Sequence, residues 1–135
     1  MPAHIAIMHE PYLARVLARQ KTIESRFLRL RSAPYDRVSV GDTIGLKRAS
    51  GPIVAVAPVT AVRQYDDLTP DRIAALVAQF GADLRLDPDF IAHIRDRRYA
   101  VLIWLGTPRL LPMPLHYVKR DRRGWVVLND IPWHE

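Results

Sequence analysis

The chain has 135 residues, of which 49% are hydrophobic and 25% charged, and this balance excludes a disordered protein. It contains no cysteine, which excludes disulfides and thiolate chemistry. Its 20 lysines and arginines outnumber its 14 acidic residues and give a net charge of +6, which favours polyanionic partners such as nucleic acid over a charge that serves only solubility.

The length, together with the absence of any repeat or linker, predicts a single domain over residues 1–135. The N-terminus lacks a basic region followed by a long apolar stretch, so we expect no secretory signal. The longest apolar runs, at 53–62 and 99–106, are far shorter than a membrane span. We therefore expect a cytoplasmic protein with no membrane partner.

The first elements lie before residue 30. An apolar run predicts a strand at 4–8, and apolar residues at helical spacing behind Pro11 predict a short helix at 10–19. From Thr22 the period of the pattern changes to two, which is typical of a strand. The N-terminal part of the chain is thus predicted to run strand, helix, strand.

A hairpin is predicted next, opened by the Gly-Asp pair at 41–42. Its strands cover 43–48 and 53–62, and Ser50 lies in the turn between them. The second strand is apolar on both faces, which fits a barrel covered by helices. Within it, Pro58 removes a ladder donor and predicts a bulge or an edge.

Two helices with clear start signals follow the hairpin. Thr69 is the predicted N-cap of the first, which is expected to end at Gly81, and Asp87 begins the second. Strands at 99–105 and 124–128 are separated by a proline-broken segment. About six strands and three helices result, which predicts an α+β fold built around a small mixed β-barrel.

Polar chemistry concentrates where the first helix meets the next strand. Thr22, Glu24 and Arg26 share one strand face, with successive members about 6.5–7 Å apart, and Lys21 lies at the corner. In a cleft, an arginine and a glutamate suit a nucleobase edge or a phosphate. The alternative is a cross-strand salt bridge on a wet sheet face, which contributes little.

These residues resemble the hallmark of the ASCH domain family (activating-signal-cointegrator homology) of the PUA-like superfamily. That hallmark is Gly-x-Lys-x-x-Glu-x-Arg, followed later by a Gly-Asp that opens a hairpin. Lys21, Glu24 and Arg26 match the charged positions, and residues 41–42 match the Gly-Asp. The motif's glycine is Arg19 here, so this corner lacks glycine's freedom and places a cation at the mouth of the predicted pocket.

The resemblance covers nearly the whole chain and implies a β-barrel with flanking helices and a cleft lined by the motif. The superfamily is associated with RNA binding, with reading of modified bases and, in scattered members, with catalysis. One bacterial branch hydrolyses the amide of acetylated cytidine with a Lys, a Thr and a Glu. The position of that Thr is Glu24 here, although Thr22 shares the strand face. Other members resemble single-strand ribonucleases.

Two functions remain open on this basis. The first, which we favour, is a module that binds single-stranded RNA or a modified nucleoside without chemistry. The second is a small hydrolase acting on RNA or on a nucleoside amide such as acetylated cytidine, with Lys21 and Glu24 transferring protons. The predicted ligand-binding residues are Lys21, Thr22, Glu24, Arg26, Arg19, Lys47 and Arg48.

A basic turn near the C-terminus is predicted to be a second contact surface for RNA. Trp125 beside it is predicted to be core, with base stacking as the alternative. The five histidines lack metal-ligand spacing, so we expect no metal ion and no cofactor. The predicted RNA track consists of Tyr117, Lys119, Arg120, Arg122 and Arg123.

Overall fold

The computed structural model describes residues 2–133, which form seven strands and three helices. The strands are β1 (Ala3–Met8), β2 (Ile23–Leu28), β3 (Thr43–Arg48), β4 (Ile53–Tyr65), β5 (Tyr99–Leu105), β6 (Arg109–Leu115) and β7 (Trp125–Leu128). The helices are α1 (Tyr12–Leu17), α2 (Pro70–Leu84) and α3 (Pro88–His93).

The strands form one mixed sheet in the order β2-β5-β4-β3-β1-β7, with β6 paired to β4 beside this path. β1 and β3 are parallel, and the other pairs are antiparallel. The predicted α+β class is therefore confirmed. The closed barrel is not, because β2 and β7 end the path without pairing with each other in the described part of the chain.

The central strand β4 pairs with three strands, β3, β5 and β6. Its first part pairs with β3 and its second part with β5, and the register shifts between Val59 and Ala61. Pro58 lies just before this shift in register, and the shift confirms the bulge predicted there. Ser50 lies in the tight turn before β4 with a φ of 57°, as the hairpin prediction requires.

Strand β6 is absent from the sequence-based prediction. Pro112 and Pro114 interrupt its apolar pattern and remove two N–H donors. The structure accommodates both prolines because β6 pairs with β4 alone, in an irregular register. A sheet edge of this kind tolerates proline, whereas a central strand does not.

Helix α2 is one turn longer than predicted. Its start is confirmed, since the Thr69 hydroxyl accepts a hydrogen bond from the Arg72 N–H at 3.2 Å. The predicted end at Gly81 is wrong, because the helix continues to the fully buried Leu84. Arg85 then takes a left-handed conformation with a φ of 51° and ends the helix. Burial of one more leucine outweighs the weak helix propensity of glycine.

Buried side chains form three clusters around the sheet. The first joins side chains of α1 to those of β1, β3, β4 and β5 and includes Met8, Ile44 and Val101. The second lies between α2, α3 and the outer face of β2 and β5. The third covers the outer face of β1 and β4 and includes Trp133. Every residue of β1 is therefore buried, and β1 forms one side of the cavity described below.

Two glycine-to-alanine substitutions test this packing with opposite expected signs. In Gly45→Ala the new methyl would lie 2.6 Å from the Trp133 ring, so we expect a loss of roughly 1–3 kcal/mol of unfolding free energy. In Gly81→Ala the methyl meets no heavy atom within 4 Å, and we expect a gain of roughly 0.5–1 kcal/mol from helix propensity. Urea denaturation of the two variants measures both. Equal effects at the two positions would contradict the packing of Trp133 on β3.

Candidate functional site

A cavity of about 690 Å³ lies where β2 fails to meet β7. Its walls come from the end of β1, from α1, β2 and α3, and from the start of β7. This volume falls within the usual range of small-molecule sites. The charged and histidine side chains in its lining are His9, Lys21, Glu24, Arg26, Arg37 and Arg123.

Lys21 enters the cavity from the corner between α1 and β2 and is almost fully buried. Its Nζ donates a hydrogen bond to the Leu84 carbonyl at 2.6 Å and lies 3.8 Å from Glu24 Oε1. Burial lowers the pKa of Lys21 below its ordinary value, and the nearby Arg26 and Arg15 lower it further. The charge of Glu24 opposes this change in the pKa.

Glu24 carries a buried carboxylate between two cations. Its Oε1 accepts a hydrogen bond from the Ser25 N–H at 2.8 Å, and its Oε2 lies 3.5 Å from Nη2 of Arg26. Only 6% of the residue is exposed. A buried carboxylate requires such partners, so Lys21 and Arg26 compensate its desolvation.

Arg26 spans the open side of the sheet. Its Nη1 donates to the Gly124 carbonyl at 3.0 Å, and its Nη2 donates to the Ile7 carbonyl at 3.1 Å. Its guanidinium also stacks over the Trp125 ring at 5.2 Å. The guanidinium considered above for a phosphate is therefore engaged by main-chain carbonyls across the gap, one in β1 and one just before β7.

The Trp125 ring that contacts Arg26 is itself held in place by a hydrogen-bond chain. The Trp125 indole N–H donates to Nδ1 of His4 at 3.1 Å, and the other imidazole nitrogen lies 2.8 Å from Asp42 Oδ2. Because an indole nitrogen only donates, Nδ1 of His4 accepts and its Nε2 carries the proton toward the carboxylate. Trp125 is 3% exposed, which confirms the core prediction and excludes it as an open stacking platform.

Two aromatic residues that the sequence analysis does not single out line the other end of the cavity. Tyr12 on α1 and Phe90 on α3 pack with ring centroids 5.7 Å apart. The Tyr12 hydroxyl accepts a hydrogen bond from the Asp87 N–H at 3.2 Å and so fixes the ring. Aromatic residues on short helices usually pack in a core, and no sequence signal separates these two from that case.

Of the predicted ligand-binding residues, Lys21, Glu24 and Arg26 line the cavity together, and four others do not. The main chain of Thr22 bonds to Asp83 and Leu105. Lys47 is buried, and its Nζ donates to the Arg48 carbonyl at 3.2 Å. The Arg48 side chain forms an ion pair with Glu10 at 2.7 Å. Arg19 is the fourth.

Arg19 does not stand at the cavity mouth, because its guanidinium donates to the carbonyls of Leu105 and Gly106 at 3.2 and 3.0 Å. Its φ is 61°, in the left-handed region that favours glycine. The corner therefore has the backbone conformation that the glycine of the resembled motif suits. The arginine adopts it at a cost of order 1–3 kcal/mol, and its two hydrogen bonds offset part of that cost.

The residues of the predicted RNA track differ in exposure and in contacts. Lys119 donates to the Arg123 carbonyl at 2.8 Å, and Arg123 lies 3.8 Å from the Asp121 carboxylate while also lining the cavity. Arg120 and Arg122 are exposed and form no ion pair within residues 2–133. Tyr117 is half-buried against the third cluster, which leaves the arginines as the open part of the turn.

No group of three histidine, aspartate or glutamate side chains within residues 2–133 has the geometry to hold a metal ion. His134, the last of the five histidines, lies outside these residues. In the same part of the chain, no helix combines the length and the apolar character that crossing a membrane requires.

Comparison with known proteins relates this architecture to solved structures. No family model and no curated protein matches the chain in sequence. The crystal structure of ASCH from Zymomonas mobilis superposes with a TM-score of 0.72 at 13% identity, over 94% of this chain and 87% of that one. This chain has the ASCH fold. The N-terminal domain of Staphylothermus marinus McrB superposes with a TM-score of 0.51 at 16% identity, over 85% of this chain and 76% of that one.

Within this fold, Lys21 lies at the corner that leads into β2, and Glu24 and Arg26 lie on that strand. At this level of identity the comparison establishes the fold, and the chemistry of the cavity follows from this chain's own contacts.

The buried ammonium of Lys21 predicts a pH-dependent stability. Because its pKa is lowered on folding, the unfolded chain binds more protons between that lowered pKa and the ordinary value of about 10.4. Unfolding free energy should therefore rise with pH in this window, and the contribution should vanish in Lys21→Met. We expect the stability of the wild type relative to that variant to increase as the pH is raised, measured by urea denaturation. A difference that stays flat or falls would contradict the dominance of burial.

Proposed function

We propose that this chain binds single-stranded RNA or a modified nucleoside, and that one base enters the cavity beside β2. The observation that carries this proposal is the convergence of Lys21, Glu24 and Arg26 on a cavity of about 690 Å³ that also has an aromatic wall. A concave site that is largely apolar and holds a few converging polar groups is the usual form of a small-molecule site.

The polar groups retain hydrogen-bonding capacity for a ligand. An ammonium has three donors, and Lys21 directs one of them to Leu84. A carboxylate accepts at about four positions, of which Glu24 uses one for the Ser25 N–H and a second, at longer distance, for Arg26. Such donors and acceptors suit the polar edge of a nucleobase, and aromatic rings suit its faces.

The arginines of the basic turn near the C-terminus favour RNA as the polymer that carries the base. Arg123 lies at the cavity, and the exposed Arg120 and Arg122 precede it in the same turn. A bound strand would place one base inside while its phosphates contact these arginines. The net charge of +6 and the RNA binding implied by the resemblance to ASCH and PUA-like domains favour the same partner.

A second candidate function, hydrolysis of RNA or of a nucleoside amide, is favoured by one observation. The lowered pKa of Lys21 brings a neutral amine closer to working pH, as a catalytic base requires. Two contacts oppose that role, since the 2.6 Å bond to Leu84 and the charge of Glu24 both stabilise the ammonium. Binding without chemistry therefore remains the preferred function.

Salt dependence tests the arginines of the turn. Each phosphate contact on a single strand contributes about 0.7 to the slope of log K against log salt, so the double variant Arg120→Ala with Arg122→Ala should lower the slope by about 1.4. The exposed Arg95 lies outside the cavity, and Arg95→Ala removes the same kind of charge as a control with no expected change. Fluorescence anisotropy with a labelled oligonucleotide supplies the measurement. If the double variant has the wild-type slope, the turn contributes no phosphate contacts.

Substitutions at the buried pair separate the two candidate functions. A group that only binds should weaken affinity when it is removed, whereas a proton-transfer group should abolish turnover and leave affinity largely intact. For Lys21→Met and Glu24→Gln we expect weaker RNA or nucleoside binding and no wild-type turnover of acetylated cytidine or RNA. A wild-type activity that falls at least about 10²-fold in both variants, with affinity preserved, would establish the hydrolase instead.

A further inference from the structure

Strand β2 presents an unpaired edge to the cavity. β5 is its partner on one side, and the sheet path through the described residues ends at β2 on the other. Ser25 and Phe27 line the cavity along this free edge. The main chain of β2 therefore belongs to the cavity wall as much as its side chains do.

The hydrogen-bonding register determines which main-chain groups point outward. In an antiparallel pair, residues alternate between those that bond across and those whose N–H and C=O point away. The Leu105 N–H donates to the Thr22 carbonyl at 3.0 Å, so Thr22 and the residues two and four positions later bond toward β5. Ser25 and Phe27 then direct their N–H and C=O groups to the free side. The bond from the Ser25 N–H to the Glu24 side chain is consistent with that direction.

Several polar groups at this edge are left for a ligand. Glu24 takes the Ser25 N–H, but within residues 2–133 no turn, loop or side-chain hydrogen bond takes the Ser25 carbonyl or the Phe27 N–H. The Ser25 hydroxyl is also buried without a partner, in a residue only 6% exposed. Ser25 and Phe27 are both buried residues. Polar groups of buried residues are nearly always paired, so unpaired groups side by side at a cavity indicate a site for a polar ligand.

We propose that the free edge of β2 reads the Watson–Crick edge of a nucleobase, with the Ser25 carbonyl accepting from a base N–H and the Phe27 N–H donating to the adjacent base acceptor. This inference rests on the proposed function and specifies the part of the ligand that is recognised. The Ser25 hydroxyl supplies a third contact. A base alkylated on the ring nitrogen of that edge loses its donor or acceptor and is rejected.

The contacts across the gap favour a base over an added peptide strand. The Arg26 side chain spans from β2 to Gly124 and Ile7, which blocks the space an extended chain would occupy along the edge. A planar ring needs only the two groups of Ser25 and Phe27, and the neighbouring Tyr12 and Phe90 offer apolar contact.

Amide hydrogen exchange, measured by NMR on the full chain, tests this proposal. The probes are the four common nucleosides, each paired with its counterpart methylated on the ring nitrogen of the Watson–Crick edge. On saturation with the nucleoside that binds, exchange of the Phe27 amide should slow by at least about tenfold, because it gains a hydrogen bond. The Arg26 amide, which already bonds toward β5, is the internal control and should keep its rate. The methylated counterpart should bind at least about tenfold more weakly.

The outcomes separate this inference from the proposed function. If a nucleoside binds and shifts the resonances of Ser32 and Arg37 at the cavity while Phe27 exchange and the effect of methylation stay unchanged, edge reading is wrong and binding stands. If neither nucleosides nor short oligonucleotides bind, both proposals fail.

Ser25→Ala tests the third contact. The hydroxyl has no partner in the structure, so its removal should leave the unfolding free energy nearly unchanged while nucleoside affinity falls about 5-fold to 10-fold. Ser39→Ala, at an exposed serine outside the cavity, is the matched control and should keep wild-type affinity. Wild-type affinity in Ser25→Ala would remove the hydroxyl from the site.

Discussion

The guanidinium of Arg26 bridges the open side of the sheet, and the geometry of the site follows from this contact. The sheet leaves a gap between β2 and the β1–β7 pair, and this one side chain bridges it with bonds to the Gly124 and Ile7 carbonyls. Glu24 balances its charge, and its guanidinium lies over the ring of Trp125. The buried His4 and Asp42 hold that ring in place through hydrogen bonds. A cation can take this position only because a carboxylate and an aromatic face replace the water it loses.

The cavity follows from the same gap. Had β2 and β7 paired along their length, main-chain hydrogen bonds would fill the space that Arg26 spans. Instead the Arg26 side chain spans the gap, and the free edge of β2 faces a pocket of about 690 Å³. The three motif charges therefore have different roles. Arg26 supports the architecture, Glu24 orients both cations and the Ser25 N–H, and Lys21 brings a buried amine with a lowered pKa to the wall.

Local pattern predicted most of the elements, and long-range contacts account for the remainder. The period of two from Thr22 onward placed Glu24 and Arg26 on one strand face, and the Thr69 cap marked the start of α2. Strand β6 was missed because its prolines are tolerated only at the edge that tertiary pairing with β4 creates. The partners of Lys21 and Arg26, at Leu84 and Gly124, are 63 and 98 residues away, and no local pattern encodes such pairs. Tyr12 and Phe90 were missed for the same reason, since only the tertiary fold brings them together at the cavity.

Native mass spectrometry of the protein as purified from cells determines whether this cavity holds a base. The comparison is between the wild type and Ser32→Trp, in which an indole added at an exposed position of the lining obstructs the cavity and leaves the buried core unchanged. We expect nucleosides or short RNA fragments, supplied in excess where none copurifies, to add their mass to the wild type and not to the variant. Equal adducts on both proteins, or none on the wild type, would contradict it.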